Sequence, residues 1–175
     1  MLRVIRLREG LVTVADEISV ELVQSATDDV CVLVGELDQI LSAEYVPQQR
    51  HGLALDAIFK LNIRFFLARL NGVAAGCGGL ALFADFAEVK RMYLRDVARG
   101  RGVAQALPAR IEREARDAGL VLLRLETGER QIAAFRFYQR AGFQICTAFG
   151  AHATMAPQAV ATSIFLQKQL TATAR

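Results

Sequence analysis

The 175-residue chain has no tryptophan, three cysteines, three prolines and two histidines, and its formal net charge is only +3. Each scarcity excludes something. Cys31, Cys77 and Cys146 are odd in number, widely spaced and without a C-x-x-C pair. They outline neither a disulfide framework nor a zinc site and are expected as small buried hydrophobes. His51 and His152 lie far apart with no H-x-x-x-H spacing, so no metal is expected. The charge is too small for a nucleic-acid-binding domain, and no stretch reaches the ~18 apolar residues of a membrane span. Arginines interrupt the apolar pairs of Met1 to Arg8, which therefore do not read as a secretory signal; a cytoplasmic location is the expectation.

What is present is apolar: 53% of the residues are hydrophobic, enough to bury one core, and neither repeats nor a linker divide residues 1 to 175, so one domain is expected. Residues 1 to 17 fit no clear element and are left as an extra strand or a loose extension. Residues 19 to 26 read as a strand, and Thr27-Asp28-Asp29 caps a helix whose apolar positions Val30, Leu33, Leu37, Ile40 and Leu41 recur at helical spacing. Leu53 to Phe59 reads as a second, short helix.

Ile63 to Leu70 and Val73 to Phe83 are strands joined by Asn71-Gly72, a strong hairpin signal. Phe86 to Leu94 is the next strand. Gly102 to Ala118 carries Val103, Leu107, Ile111 and Ala115 at four-residue steps and is a helix closed by Gly119; Pro108 inside it forfeits one backbone hydrogen bond. Leu120 to Glu126 is an apolar strand, Arg130 to Ala141 a helix, and Phe143 to Phe149 and Ala161 to Leu170 are the last strands. Gly76-Cys77-Gly78-Gly79-Leu80-Ala81 matches a dinucleotide fingerprint, but it stands between strands rather than before a helix. Close backbone approach or a bulge is the better reading.

Chemistry concentrates further on. Between Lys90 and Arg101 five basic residues (Lys90, Arg91, Arg95, Arg99, Arg101) face one acidic residue, Asp96, which suits a small anionic ligand. Arg99, Gly100, Arg101, Gly102, Val103 and Ala104 form a glycine turn leading into a helix. There unpaired amides and the positive end of the helix dipole favour an anion, the glycines permit positive φ, and the arginines add charge for phosphate oxygens.

Arg99, Gly102 and Ala104 spell R-x-x-G-x-A, which resembles the pyrophosphate-binding motif of the GNAT N-acetyltransferase superfamily. The words Glu88-Val89-Lys90-Arg91-Met92-Tyr93 and Leu125-Glu126-Thr127-Gly128 look like those of a bacterial subgroup, and Ala134, Phe137-Tyr138 and Ala141-Gly142-Phe143 resemble the later motifs. The resemblance covers residues 19 to 170. It implies an α/β (α+β) fold with a mixed, mostly antiparallel sheet of about six to seven strands flanked by about four helices, with the 86–94 and 120–126 strands splayed apart.

It further implies acetyl-CoA as co-substrate, its pantetheine against the backbone of Met92, Tyr93 and Leu94, its pyrophosphate on Arg99 to Ala104, and a contact from Gln131, where relatives often carry Asn. The implied activity is N-acetylation of a small-molecule or peptide amine, with no nucleic acid or membrane as partner and a homodimer left open. The alternative is a non-catalytic module that senses acyl-CoA.

Acetyl transfer to an amine moves two protons, one off the ammonium and one toward the departing thiolate. Tyr138, a phenol of pKa ~10, is the candidate donor to sulfur. Glu88 is the candidate base because Phe86-Ala87-Glu88-Val89 resembles the strand position of the catalytic glutamate in the family's histone-acetylating branch, although a glutamate lies about six units below a lysine-like amine and Lys90 on the same strand face lowers it further. Glu126 is the second carboxylate. The acceptor wall is expected from Glu36, Glu44, Tyr45, Arg50 and His51, and Arg50, Lys90 and Arg91 point to an acceptor that carries a carboxylate. No cysteine or serine stands in a nucleophile motif, so attack is expected to be direct.

Overall fold

The computed structural model describes residues 2–7 and 10–171. The 1 to 17 stretch that matched no pattern begins with a hairpin, β1 (Leu2–Leu7) paired antiparallel with β2 (Gly10–Ala15). The main sheet comprises β3 (Ile18–Val23), β4 (Ile63–Leu70), β5 (Val73–Leu82), β6 (Ala87–Leu94), β7 (Leu122–Gly128), β8 (Gln144–Ile145) and β9 (Ser163–Gln169), in the order β3-β4-β5-β6-β7-β9-β8. Its pairs are antiparallel except β6 with β7. A seven-stranded mixed sheet with four helices is the expected fold class.

Helix α1 (Asp28–Glu44) starts at Thr27, whose side chain accepts from the Val30 N–H. It packs Val30, Leu33 and Val34 with Phe65, Leu67 and Cys77 on one face of the sheet. Helix α2 (Val103–Asp117) runs through Pro108 and buries Val103, Leu107, Ile111 and Ala115 on the opposite face, with Phe66, Val89 and Leu125. Helix α3 (Ile132–Arg140) adds Tyr138 to that second layer. β4 divides its side chains between both layers, as a strand covered on two sides must.

The Asn71-Gly72 turn has φ of 53° and 79°, both positive as a tight primed hairpin turn requires. Its tip also clasps the chain before β3: Asn71 Oδ1 accepts from the Glu17 N–H at 2.9 Å and Nδ2 donates to Asp16 at 3.1 Å. The glycine run lies within β5, where a bulge falls between Cys77 and Gly79. A Cβ on Gly76 would stand 2.7 Å from the Tyr93 carbonyl, so the strands meet there only because a side chain is missing.

Three expectations are corrected. Leu53 to Phe59 forms only a 3-10 turn, at Ala57–Phe59. The strand expected over Phe143 to Phe149 is two residues long, because the chain leaves the sheet to turn Phe149 against Phe86 and Phe165. A 3-10 helix (Gly150–Thr154) and the short α4 (Pro157–Val160) follow, neither of which periodicity reveals. Of the cysteines, Cys77 is buried and Cys146 half-buried, but Cys31 is exposed, one step round α1 from the Val30-Leu33-Leu37 stripe.

Candidate active site

β6 and β7 pair only through Ala87–Leu123, Glu88–Arg124 and Val89–Leu125. Beyond Val89, β6 stays paired with β5 through Lys90, Tyr93 and Leu94, so its other edge, toward β7, is open. Arg91 sits in the bulge at φ 55°. The parting strands frame a cleft of about 110 Å³. It brings together the predicted Lys90, Arg91, Met92, Glu126, Gln131 and Tyr138, and across from them Tyr45, Arg50 and His51. Glu36, Glu88, Tyr93 and Leu94 are not in its lining.

At the N-terminus of α2 the Arg99–Ala104 turn has Gly100 at φ 69° and Gly102 at φ 90°. Among the described residues no backbone carbonyl accepts from the N–H of Gly100, Gly102, Val103 or Ala104. Four successive or near-successive free amides at a helix start make a cradle for an anion. The flanking arginines are engaged. Arg99 is exposed and paired with Asp96 at 2.7 Å, while Arg101 donates from Nε to Asp16 at 2.9 Å and pairs with it again through Nη2. Arg101, with help from the Asn71 amide, holds the Asp16 carboxyl well below the usual carboxylate range.

Tyr138 is buried, with its ring edge-on to Phe137 and Phe143, and it lines the cleft. Burial, reinforced by the negative charge of Glu126, raises its pKa well above the ordinary phenol value, so it remains a protonated donor. No hydrogen bond to its hydroxyl is made among the described residues. Glu126 accepts from the Ser163 hydroxyl at 2.7 Å. Tyr45 packs its hydroxyl over Gly128, where a Cβ could not fit, and accepts from the Arg130 N–H at 2.7 Å. Gln131 is hydrogen-bonded to Glu44.

Glu88 lies on the other face of the sheet from Tyr138, since its neighbours Ala87 and Val89 pack in the Tyr138 layer. It is 4% exposed. One carboxylate oxygen, Oε1, meets both Lys90 Nζ at 2.5 Å and His152 Nε2 at 3.2 Å. Burial pushes the Glu88 pKa up, but the hydrogen bond from His152 and the charge of Lys90 outweigh it, and the net shift is downward. His152 itself is boxed by Phe149, Phe165 and His51 at ring distances of 5.4 to 5.5 Å, with Nδ1 buried and unpartnered. To donate to that carboxylate, Nε2 carries a ring proton.

Two partners, His152 and Asp38, escaped the sequence reading, and Glu36, expected in the acceptor wall, holds an arginine instead. His152 comes from the 3-10 helix 64 residues beyond Glu88. Asp38 on α1 binds Arg91 in a fork at 2.5 and 3.0 Å, and Glu36 binds Arg95 in the same way at 2.6 and 2.9 Å. Arg91 is therefore a buried, paired guanidinium rather than a free charge on the cleft. No local signal marks any of these; only the chain's path over the sheet creates them.

The matching family model is Acetyltransferase (GNAT) family, over residues 34–143. An IAA acetyltransferase from Azospirillum brasilense is 39% identical over 145 residues, covering 82% of this chain and 92% of that one. Among solved structures, a Klebsiella pneumoniae protein provisionally assigned as an acyl-CoA N-acyltransferase superposes with a TM-score of 0.70 at 29% identity, covering 88% of this chain and 98% of that one. An N-acetyltransferase from Thermoplasma acidophilum, in complex with coenzyme A, gives 0.63 at 17% identity over 86% and 99% of the two chains, a likeness of fold. With the parted β6 and β7 and the amide cradle before α2, these matches place the chain in the GNAT family of acetyltransferases.

Proposed function

We propose that the protein transfers the acetyl group of acetyl-CoA to a primary amine of a small molecule or peptide, by direct attack in a ternary complex. The observation that carries this reading is the set of four unpaired amides at Gly100, Gly102, Val103 and Ala104, next to the open edge of β6. The amides suit a pyrophosphate, and the free edge over Met92, Tyr93 and Leu94 suits the amide groups of a pantetheine arm. Acetyl-CoA supplies the activated acyl group as a thioester. A Salmonella typhimurium structure of similar fold holds acetyl-CoA, and the Thermoplasma structure holds coenzyme A.

The chain's own residues then divide the proton work. Tyr138, protonated and without a competing hydrogen bond, donates to the sulfur as negative charge grows there. Glu88 is a carboxylate throughout the neutral range, too weak a base to take a proton directly from an ammonium some six units above it. It orients water, or the amine itself, through Oε2, while Oε1 stays with Lys90 and His152. Arg50, exposed on the cleft and paired with no carboxylate among the described residues, is the cation left to meet an acceptor carboxylate. Gln131 reaches a cofactor only by leaving Glu44. Release of free thiol from acetyl-CoA, followed across amino acids, polyamines and peptides, tests the proposal: turnover with at least one amine is expected, and binding of coenzyme A with no turnover on any amine would favour an acyl-CoA sensor.

A further inference from the structure

A second cavity, of about 470 Å³, adjoins the cleft and shares His51, Gly52 and Lys90 with it as a common wall. Its sides are apolar: Leu53, Ala57, Ile63, Ala81, Phe83 and Met155. Its polar lining includes Glu88, Lys90 and His152. Phe83 and Met155, both partly open to solvent at 43% and 36%, border this cavity.

Volume and position together decide where an acceptor fits: a third cavity, of about 410 Å³, also adjoins the cleft through Leu41, Arg50, Gly52 and Arg91, but Glu88 lines the second cavity and not the third. Pockets that enclose small organic ligands run to about 300–1,000 Å³. The cleft, at about 110 Å³, falls well below that range. The second cavity lies within it. Glu88 faces the cavity while Tyr138 faces the cleft, so the carboxylate near the amine and the phenol near the sulfur look onto the shared Lys90 wall from its two sides. An acceptor that spans this wall presents its amine toward the cleft and leaves its remaining carbon atoms in the larger space.

We propose that this cavity is an acceptor subsite, and that it selects primary amines carrying an apolar body of several carbons over short amines. The inference rests on the acetyltransferase reading above. Phe83 and Met155 are its specificity-determining contacts, and the 3-10 helix holding His152 forms one wall. Each methylene buried there is expected to lower KM about fourfold, the equivalent of ~0.8 kcal/mol.

The test uses two acceptor series, n-alkylamines from ethylamine to octylamine and the amino acids glycine, alanine, leucine and phenylalanine, with free thiol as readout. For the wild type, kcat/KM should climb along at least one series. Ala151→Trp narrows the cavity from the exposed face of the 3-10 helix and should raise KM for the longest active acceptor at least tenfold more than for the shortest. Phe83→Ala should flatten the slope, and the KM for acetyl-CoA serves as the check on folding. Turnover that is equal along both series, or a loss in Ala151→Trp that is uniform with acceptor length, overturns the subsite and leaves acetyl transfer standing. Failure of every amine to react, with coenzyme A still raising the melting temperature, overturns both.

Discussion

At the Arg99–Ala104 turn the unpaired polar groups are main-chain amides, whereas along the cleft and the cavity beside it they are side chains drawn from separated stretches of sequence. The arginines around the turn are already paired, with Asp96 and Asp16, so what the turn leaves free is backbone. At the other end Glu88, Lys90 and His152 hold one another, and Arg91 is held by Asp38. A backbone site is fixed by where glycine permits positive φ. A side-chain site is fixed by tertiary packing, and each member depends on the rest.

The contrast sets a scale of effects. The largest falls on Tyr138, where a single oxygen is at stake: Tyr138→Phe keeps the ring against Phe137 and Phe143 and should lower kcat about 10²- to 10⁴-fold, with melting temperature and coenzyme A affinity little changed. Full kcat in a well-folded variant would remove Tyr138 from the chemistry. Next is Asp38→Ala, which strands the buried Arg91 guanidinium, whose Nε already lacks a partner. Because Asp38 is half exposed, the loss in urea unfolding should be about 1–3 kcal/mol, below that for a fully buried pair.

A smaller effect concerns pH. Held below its ordinary value of about 4.3, Glu88 stabilises the fold above that pH, and the contribution is lost as pH falls through the lower folded-state value. Melting temperature measured from about pH 6 down to about pH 3 should therefore fall less steeply for Glu88→Gln than for the wild type. An identical slope would mean that Glu88 is not held by His152 and Lys90 as described.

What was legible in the sequence follows the same division. The β4-β5 hairpin, the face of α2 and the glycine turn are written in local pattern: Asn71-Gly72, Val103 to Ala115 at four-residue steps, and two glycines at a helix start. They stand where that pattern puts them. The splayed strand pair came from family resemblance, since periodicity carries no information on where two strands part. His152, Asp38 and Asp16 could not be found, because what matters in each is a partner 53 to 85 residues away. The Cys31 error shows the finer limit: composition says that cysteine is buried, but the helical phase set by Val30 and Leu33 decides, and it places Cys31 outside. Likewise Phe143 to Phe149 has the composition of a strand, yet Phe149 turns inward to the aromatic cluster and ends it.

The central claim, that a backbone cradle holds the cofactor, is tested most directly by calorimetric titration of coenzyme A into two variants of the turn. Gly102→Val places a branched side chain at φ 90° and within 2.9 Å of Ile18, which should displace the amides and leave no measurable binding. Arg99→Gln removes an exposed charge already shared with Asp96 and should weaken binding by no more than about fivefold. The reverse outcome, with affinity abolished in Arg99→Gln and kept in a folded Gly102→Val, would contradict the account.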